Sequence, residues 1–233
     1  LALTTGSDNI AIGSNALNSA TTVSGQIAIG FEALKAQNSN GNNTAVGYQA
    51  GLAVTSGASN VLIGEQAGKS ITTGYTNVAV GSNCFDMSGN ITGYYNTVVG
   101  TGNSRRFSTG LNHTSMGTYA SAYTTTASSN STFGSYAGHK TTTGASNTAI
   151  GGESLYNNTT GTHNTCVGIV AGNAITTGDK NLCLGYDAGT SGSPNHITTG
   201  DNAIVLGNNA TASAHIRVDW TVTSDKRDKT DIE

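Results

Sequence analysis

Short apolar runs alternate with longer polar stretches at a fixed spacing along this chain. A five-residue unit, Asn-x-small-aliphatic-Gly, recurs as Asn9 to Gly13 (NIAIG), Asn43 to Gly47 (NTAVG), Asn60 to Gly64 (NVLIG), Asn77 to Gly81 (NVAVG) and Asn147 to Gly151 (NTAIG). With its variants, the unit ends on Gly13, Gly30, Gly47, Gly64, Gly81, Gly100, Gly117, Gly134, Gly151, Gly168, Gly185 and Gly207. Of the eleven intervals between these glycines nine are 17 residues, one (Gly81 to Gly100) is 19 and one (Gly185 to Gly207) is 22. A 17-residue period is too short for a helix pair or a propeller blade. It suits one coil of a parallel β-solenoid, with two short strands and two turns per coil and about 4.8 Å between rungs. Twelve rungs would give a rod roughly 55 to 60 Å long.

Immediately before each glycine sits a large apolar residue, from Ile12, Ile29, Val46 and Ile63 through Phe133 to Leu184 and Leu206. This column is expected to form the core of the coil. One residue earlier the column is smaller, with Ala11, Ala28, Ala45, Ala79, Ala149, Cys166 and Cys183, and in a strand it faces the opposite way. Both faces of the sheet are therefore apolar, which predicts that one of them packs against another subunit. A third column, three residues after the glycine, is largely alanine (Ala16, Ala33, Ala50, Ala67, Ala120, Ala137, Ala171, Ala188, Ala210), as close backbone approach requires. Asparagine opens nine of the twelve units, with Gln26 and His113 as substitutes. Amides stacked one rung apart are expected to bond as a ladder along the axis; the weighed alternative is an Asn row that binds sugar or ice.

Composition supports the all-β reading. The 233 residues include 32 glycines and one proline, and only 10% are charged, so the helix formers of an ordinary soluble surface are scarce. The formal net charge of -3 offers no footprint for nucleic acid. No run approaches the roughly 20 apolar residues that span a bilayer. Leu1 opens the chain without a methionine or signal sequence, so a piece of a longer protein is expected. Cys84, Cys166 and Cys183 lack metal-ligand spacing and are an odd number, which leaves them as small core residues; no metal and no cofactor is expected.

Where a solenoid breaks its period, extra residues emerge as loops that can bind. The stretch that opens in the 19-residue interval and runs on into the next coil concentrates Phe85, Tyr94, Tyr95, Arg105, Arg106 and Phe107, with Tyr119, Tyr123 and Tyr136 following. Tyr94, Tyr95, Arg105, Arg106 and Phe107 form the candidate receptor site, since aromatic faces and guanidinium groups suit carbohydrate or protein contacts. The same residues could instead cap a register shift or fill an oligomer axis. Thr190 to Thr199, around Pro194 and His196, reads as a loop. Glu32, Glu65, Asp86, Glu153 and Asp187 fall on different rungs and columns, which provides no glycosidase-like carboxylate pair, and no enzyme of metabolism is expected. Thr-Thr-Gly triplets such as Thr72 to Gly74 raise an ice-binding reading, set aside because the triplets do not recur in every rung.

Beyond Gly207 the repeat stops and charge density rises, so residues 1–207 are assigned to the solenoid and 208–223 to a connector. Ser224, Asp225, Arg227, Lys229, Asp231 and Ile232 follow as S-D-x-R-x-K-x-D-I. This motif resembles the opening of the intramolecular chaperone, a self-cleaving C-terminal domain of phage tail fibres and tailspikes, of which residues 224–233 would be a truncated start. The resemblance implies a dyad with Ser224 as nucleophile and Lys229 as its base, cutting the chain beside Ser224 only when the complete domain is present; otherwise Ser224 is simply a helix cap. It further implies a virion tail fibre, extracellular and homotrimeric, that binds a host cell-surface glycan or protein receptor alongside other tail proteins, with no nucleic acid partner and no membrane insertion. The repeats also resemble the β-roll heads of trimeric autotransporter adhesins, whose coils are nearer 14 or 15 residues, and a bacterial surface adhesin head is the alternative.

Overall fold

Three β-prone residues ahead of each glycine are enough to make a strand when an identical triplet lies one coil away on either side. The computed structural model describes residues 4–39, 41–86 and 89–212, and in it each unit contributes one strand: β1 (Ile10–Ile12), β2 (Ile27–Ile29), β3 (Thr44–Val46), β4 (Val61–Ile63), β5 (Val78–Val80), β6 (Thr97–Val99), β7 (Thr114–Met116), β8 (Ser131–Phe133), β9 (Thr148–Ile150), β10 (Thr165–Val167), β11 (Leu182–Leu184) and β12 (Ile204–Leu206). All twelve pair in parallel, in chain order, in a single sheet. Registers match column to column, as in Ala28↔Ala45 and Val61↔Val78. The fold is an all-β parallel solenoid with one strand per coil rather than two. Opposite the sheet only the isolated bridge Ile71↔Ile91 forms among the described residues.

The second strand is replaced by consecutive turns. After Gly30, backbone bonds Ala33→Gly30, Lys35→Glu32 and Gln37→Leu34 close successive turns, with Glu32 and Leu34 at φ 56° and 47°, as a type II turn demands at its third residue. The intervening N–H groups bond to neighbouring coils, Glu32 to the Ser14 carbonyl and Leu34 to the Ala50 carbonyl. Left-handed backbone costs a side-chain-bearing residue about 1 kcal/mol or more, and these inter-coil bonds offset it. The strand-ending glycines admit no side chain. Gly64 has φ +129°, and a Cβ there would lie 2.6 Å from the Gly81 carbonyl oxygen.

The facing of the strands corrects the expected core. The middle residue of each strand points inward and the outer two point outward: Ala28, Ala45 and Leu62 are buried, whereas Ile12 and Ile63 are 59% and 39% exposed. The coil is too narrow for a large side chain at the strand centre in every rung, so the small column takes the inside and the large apolar column before each glycine forms the outer face. Ala16, Ala33, Ala50, Ala67, Ala120, Ala137, Ala171 and Ala188 are buried as the close-approach column requires, while Ala210, after the last strand, is exposed. Large residues in the turn, such as Leu17, Leu34, Phe85 and Leu155, fill the interior from the opposite side. The three cysteines are free and buried, with burial pushing the Cys84 thiol up to about 12.

The amide ladder forms. Asn60 Nδ2 and Asn77 Nδ2 donate to the side-chain oxygen one rung back, at 3.0 and 3.2 Å, and each also reaches a turn glycine carbonyl at 2.9 Å. The Asn Oδ1 accepts the next rung's backbone N–H, as Asn43 does from Asn60 at 2.9 Å, and Gln26 continues the pattern by accepting from Asn43 N at 3.2 Å. His113 cannot. Its backbone N–H bonds to Asn96 Oδ1 at 3.0 Å, but both ring nitrogens are buried without partners.

A second hydroxyl ladder follows the turn before the strand. Thr125, Thr142 and Thr159 Oγ1 each donate to the next coil's carbonyl at 3.0 to 3.1 Å. Beside it, eight residues before each repeat glycine, every coil carries Thr or Ser: Thr5, Thr22, Ser39, Ser56, then threonine from Thr73 to Thr199. The hydroxyl recurs more regularly than the triplets suggest, because the third letter of the triplet varies while this position is always Thr or Ser.

Candidate functional site

The outer surface of the turn is written by three columns, two, five and six residues after the strand-ending glycine. In the first coils these positions hold mostly polar chains, with Ala36, Leu52 and Ala53 as exceptions. Gln49 Nε2 donates to Glu32 Oε2 at 2.9 Å, Gln66 Nε2 to Gln49 Oε1 at 3.0 Å, and Lys35 Nζ pairs with Glu32 Oε1 at 2.6 Å. The Lys35 bond, with that from Gln49, holds the Glu32 carboxyl below its usual range.

From the coil that begins at Gly100 the same three columns turn aromatic and basic. Arg105, Arg106, Tyr119, Ala122, Tyr123, Tyr136 and His139 line a depression of about 460 Å³. Tyr119 and Tyr136, one rung apart, stack with centroids 5.6 Å apart, and His139 stacks on Tyr156 at 5.0 Å. Arg106 caps the Tyr123 ring at 4.5 Å and Lys140 caps Tyr156 at 4.9 Å. His139 Nδ1 donates to the Tyr119 carbonyl at 2.8 Å, which fixes the imidazole in the floor. A second depression of about 430 Å³, lined by Tyr136, Glu153, Tyr156, Asn157 and Asn173, adjoins the first through Tyr136.

The interior beneath the first depression is also unusual. The apolar core divides into one cluster that reaches Phe107 and another that begins at Ala137. Between them lies a polar layer: Ser115 Oγ donates to Asn103 Oδ1 at 2.6 Å, Thr132 Oγ1 to Ser115 Oγ at 2.9 Å, and Ser121 shares a bond with Thr132 at 2.9 Å. Such bonds satisfy buried hydroxyls and hold these rungs by direction rather than by shape alone.

The five residues of the expected receptor site separate into three places. Arg105 and Arg106 line the depression. Tyr94 and Tyr95 sit in the turn before the strand, where Tyr94 stacks on Tyr75 at 4.6 Å and Tyr95 meets both edge-on. Phe107 is a core residue, 1% exposed, against Phe85 and His113. Tyr119, Tyr123 and Tyr136, noted above only as followers of that stretch, join the arginines, and His139 and Tyr156 complete the surface. The signal was their position modulo 17, which puts residues far apart in sequence on adjoining rungs. The dyad suggested by resemblance, Ser224 and Lys229, lies outside the described residues. Among the described residues no group of three His, Cys, Asp or Glu is gathered to hold a metal, and no helix is long and apolar enough to cross a membrane.

No protein-family model, curated protein or solved structure matches the chain.

Proposed function

We propose that this chain is a rigid attachment segment of a trimeric virus tail fibre or tailspike, in which the solenoid projects and carries a receptor-contact surface. The observation that carries the reading is the outer face of the sheet. Along twelve strands it presents two columns, from Ile10 and Ile12 to Ile204 and Leu206, with no charged residue in either. The column before the glycines is apolar in every rung and the other mixes aliphatic residues with Thr and Ser; at about 4.8 Å per rung the stripe is some 50 Å long, and an exposed apolar column of that length marks an interface. Three copies could bury it around a common axis, and three equal contact sites would turn weak single-site affinity into avidity.

The S-D-x-R-x-K-x-D-I motif after the repeat favours a fibre over a bacterial trimeric adhesin head, which shares the solenoid but not that tail. A chaperone domain suits this fold, because parallel registers joined over long separations are slow to form and prone to slip. Sedimentation equilibrium tests assembly: three 23.4 kDa chains are expected, and a monodisperse monomer would overturn the reading. Binding of the purified protein to host cells, absent from non-host cells, tests attachment.

A further inference from the structure

Two arginines side by side on a surface so poor in charge call for a counter-ion. Neither Arg105 nor Arg106 has one: the ion pair formed among the described residues is Lys35–Glu32, and no carboxylate lines the depression. Arg105 Nε is buried with no acceptor, a donor held out of water without compensation. The hydroxyls of Tyr119, Tyr123 and Tyr136 form no hydrogen bond with protein groups among the described residues. The floor is concave and within the size range of small-ligand sites, with His139 held by the Tyr119 carbonyl.

We propose that this groove binds an acidic saccharide, with the carboxylate of one sugar at Arg105 and Arg106 and the adjoining sugar in the Glu153, Asn157 and Asn173 depression. The inference deepens the attachment reading and rests on it for its biological context. Guanidinium forks match carboxylate oxygens in paired bonds, and the tyrosine hydroxyls can donate to or accept from ring hydroxyls. The neighbouring depression carries the unpaired carboxylate of Glu153. An acidic peptide with charge at every step would meet repulsion there, whereas a neutral sugar would donate its hydroxyls to the carboxylate. The groove therefore selects a strand that alternates acidic and neutral units. The strand would run along the rungs, past Tyr136, which both depressions share.

The experiment is titration calorimetry of the assembled protein with a panel of oligosaccharides. The panel holds uronic-acid and sialic-acid oligomers alternating with neutral sugars, their carboxyl-reduced counterparts, and an oligoglutamate of equal charge. At least one acidic oligosaccharide is expected to bind tenfold or more tighter than its reduced form and than oligoglutamate. Arg105→Ala/Arg106→Ala is expected to weaken it at least tenfold with unchanged mass and melting. Should that double variant lose its fold, the lysine pair, Arg105→Lys/Arg106→Lys, serves instead and is expected to bind several-fold more weakly. Equal binding of the reduced sugars, preference for oligoglutamate, undiminished binding by the intact-fold variant, or no binding across the panel would each overturn the proposal. Mass and cell binding are measured separately, so failure of the groove is distinguishable from failure of the attachment reading.

Discussion

Gly68 closes directly on Leu62: a Cβ at position 68 would come within 2.6 Å of Leu62 Cδ2. The relationship is a rule of this interior. Where the strand centre is alanine, as at Ala28, Ala79 and Ala149, the inward turn residue six positions later is large, as Leu34, Phe85 and Leu155; where the centre is Leu62, Cys166 or Cys183, the turn residue is Gly68, Gly172 or Gly189. A Cβ at Gly172 would meet Cys166 Sγ at 2.3 Å, and one at Gly189 would meet Cys183 Sγ at 2.6 Å. Ala45 with Gly51 departs from the rule because Leu34 and Leu62 reach in from the coils on either side, each 2.8 Å from a Cβ at 51.

Exchange of the pair is therefore tolerated better than either half. Leu62→Ala is expected to cost about 2 to 5 kcal/mol through the cavity it leaves, and Gly68→Leu about 1 to 3 kcal/mol by overpacking, with a further cost for a leucine at φ 61°. The double variant, which copies Ala28 with Leu34, should recover at least half of the summed loss in thermal or denaturant melts. Strict additivity would show that the two side chains do not share one volume.

His113 is the point at which acid enters the fold. Burial pushes its pKa down to about 4 from an unperturbed value near 6.5, so the folded state binds its proton less readily than the unfolded chain. Its contribution to stability is intact above pH 6.5 and is lost as pH falls toward 4, by roughly 3 kcal/mol from the shift of pKa. His113→Asn restores an amide where the ladder lacks one. The variant is expected to melt higher than the parent at pH 7, and to flatten the difference in melting between pH 7 and pH 4.5; an unchanged pH profile would remove His113 from this role.

Much of this fold was legible in the primary structure, and for a physical reason. Parallel coils in register force identical positions onto identical environments, so glycine at the strand end, asparagine before it and alanine after it repeat as columns. Which strand face turned inward was not legible, because both columns are apolar. The answer lay in the Ala28–Leu34 and Leu62–Gly68 compensation, a signal spread across two columns. The candidate site was half visible. Arg105 and Arg106 stood out by charge, but Phe107 looked like part of the same cluster and points into the core, while His139 and Tyr156 lie one period or more further along the chain.

The facing of the sheet separates two kinds of damage. Ala45→Asp places a charge inside the coil and is expected to prevent folding altogether. Ile63→Asp, on the outer face, should leave a folded solenoid with unchanged circular dichroism but shift its mass toward monomer. If Ile63→Asp sediments as the parent does, the outer face is not the interface.

At the far end of the chain, the resemblance around Ser224 and Lys229 carries its own check. Joined to a complete downstream domain, the parent is expected to be cut once beside Ser224, and neither Ser224→Ala nor Lys229→Ala should be cut, as read on a denaturing gel. A lysine needs a surrounding fold to keep it neutral as a base. Processing of the Lys229 variant at the parental rate would reduce the motif to a shared linker.

The bonds between coils run along the long axis, from Gly47 N to the Ile29 carbonyl, Gly64 N to the Val46 carbonyl, and on through Gly207 N to the Leu184 carbonyl. A rod built this way resists bending and side load through its stacked rungs, yet tension applied at its ends acts on a few bonds at a time. Pulled hard enough, it would unspool like thread from a bobbin, each freed coil releasing roughly 55 Å of extended chain. Whatever is tethered through such a segment would gain slack in discrete steps before any covalent link was strained.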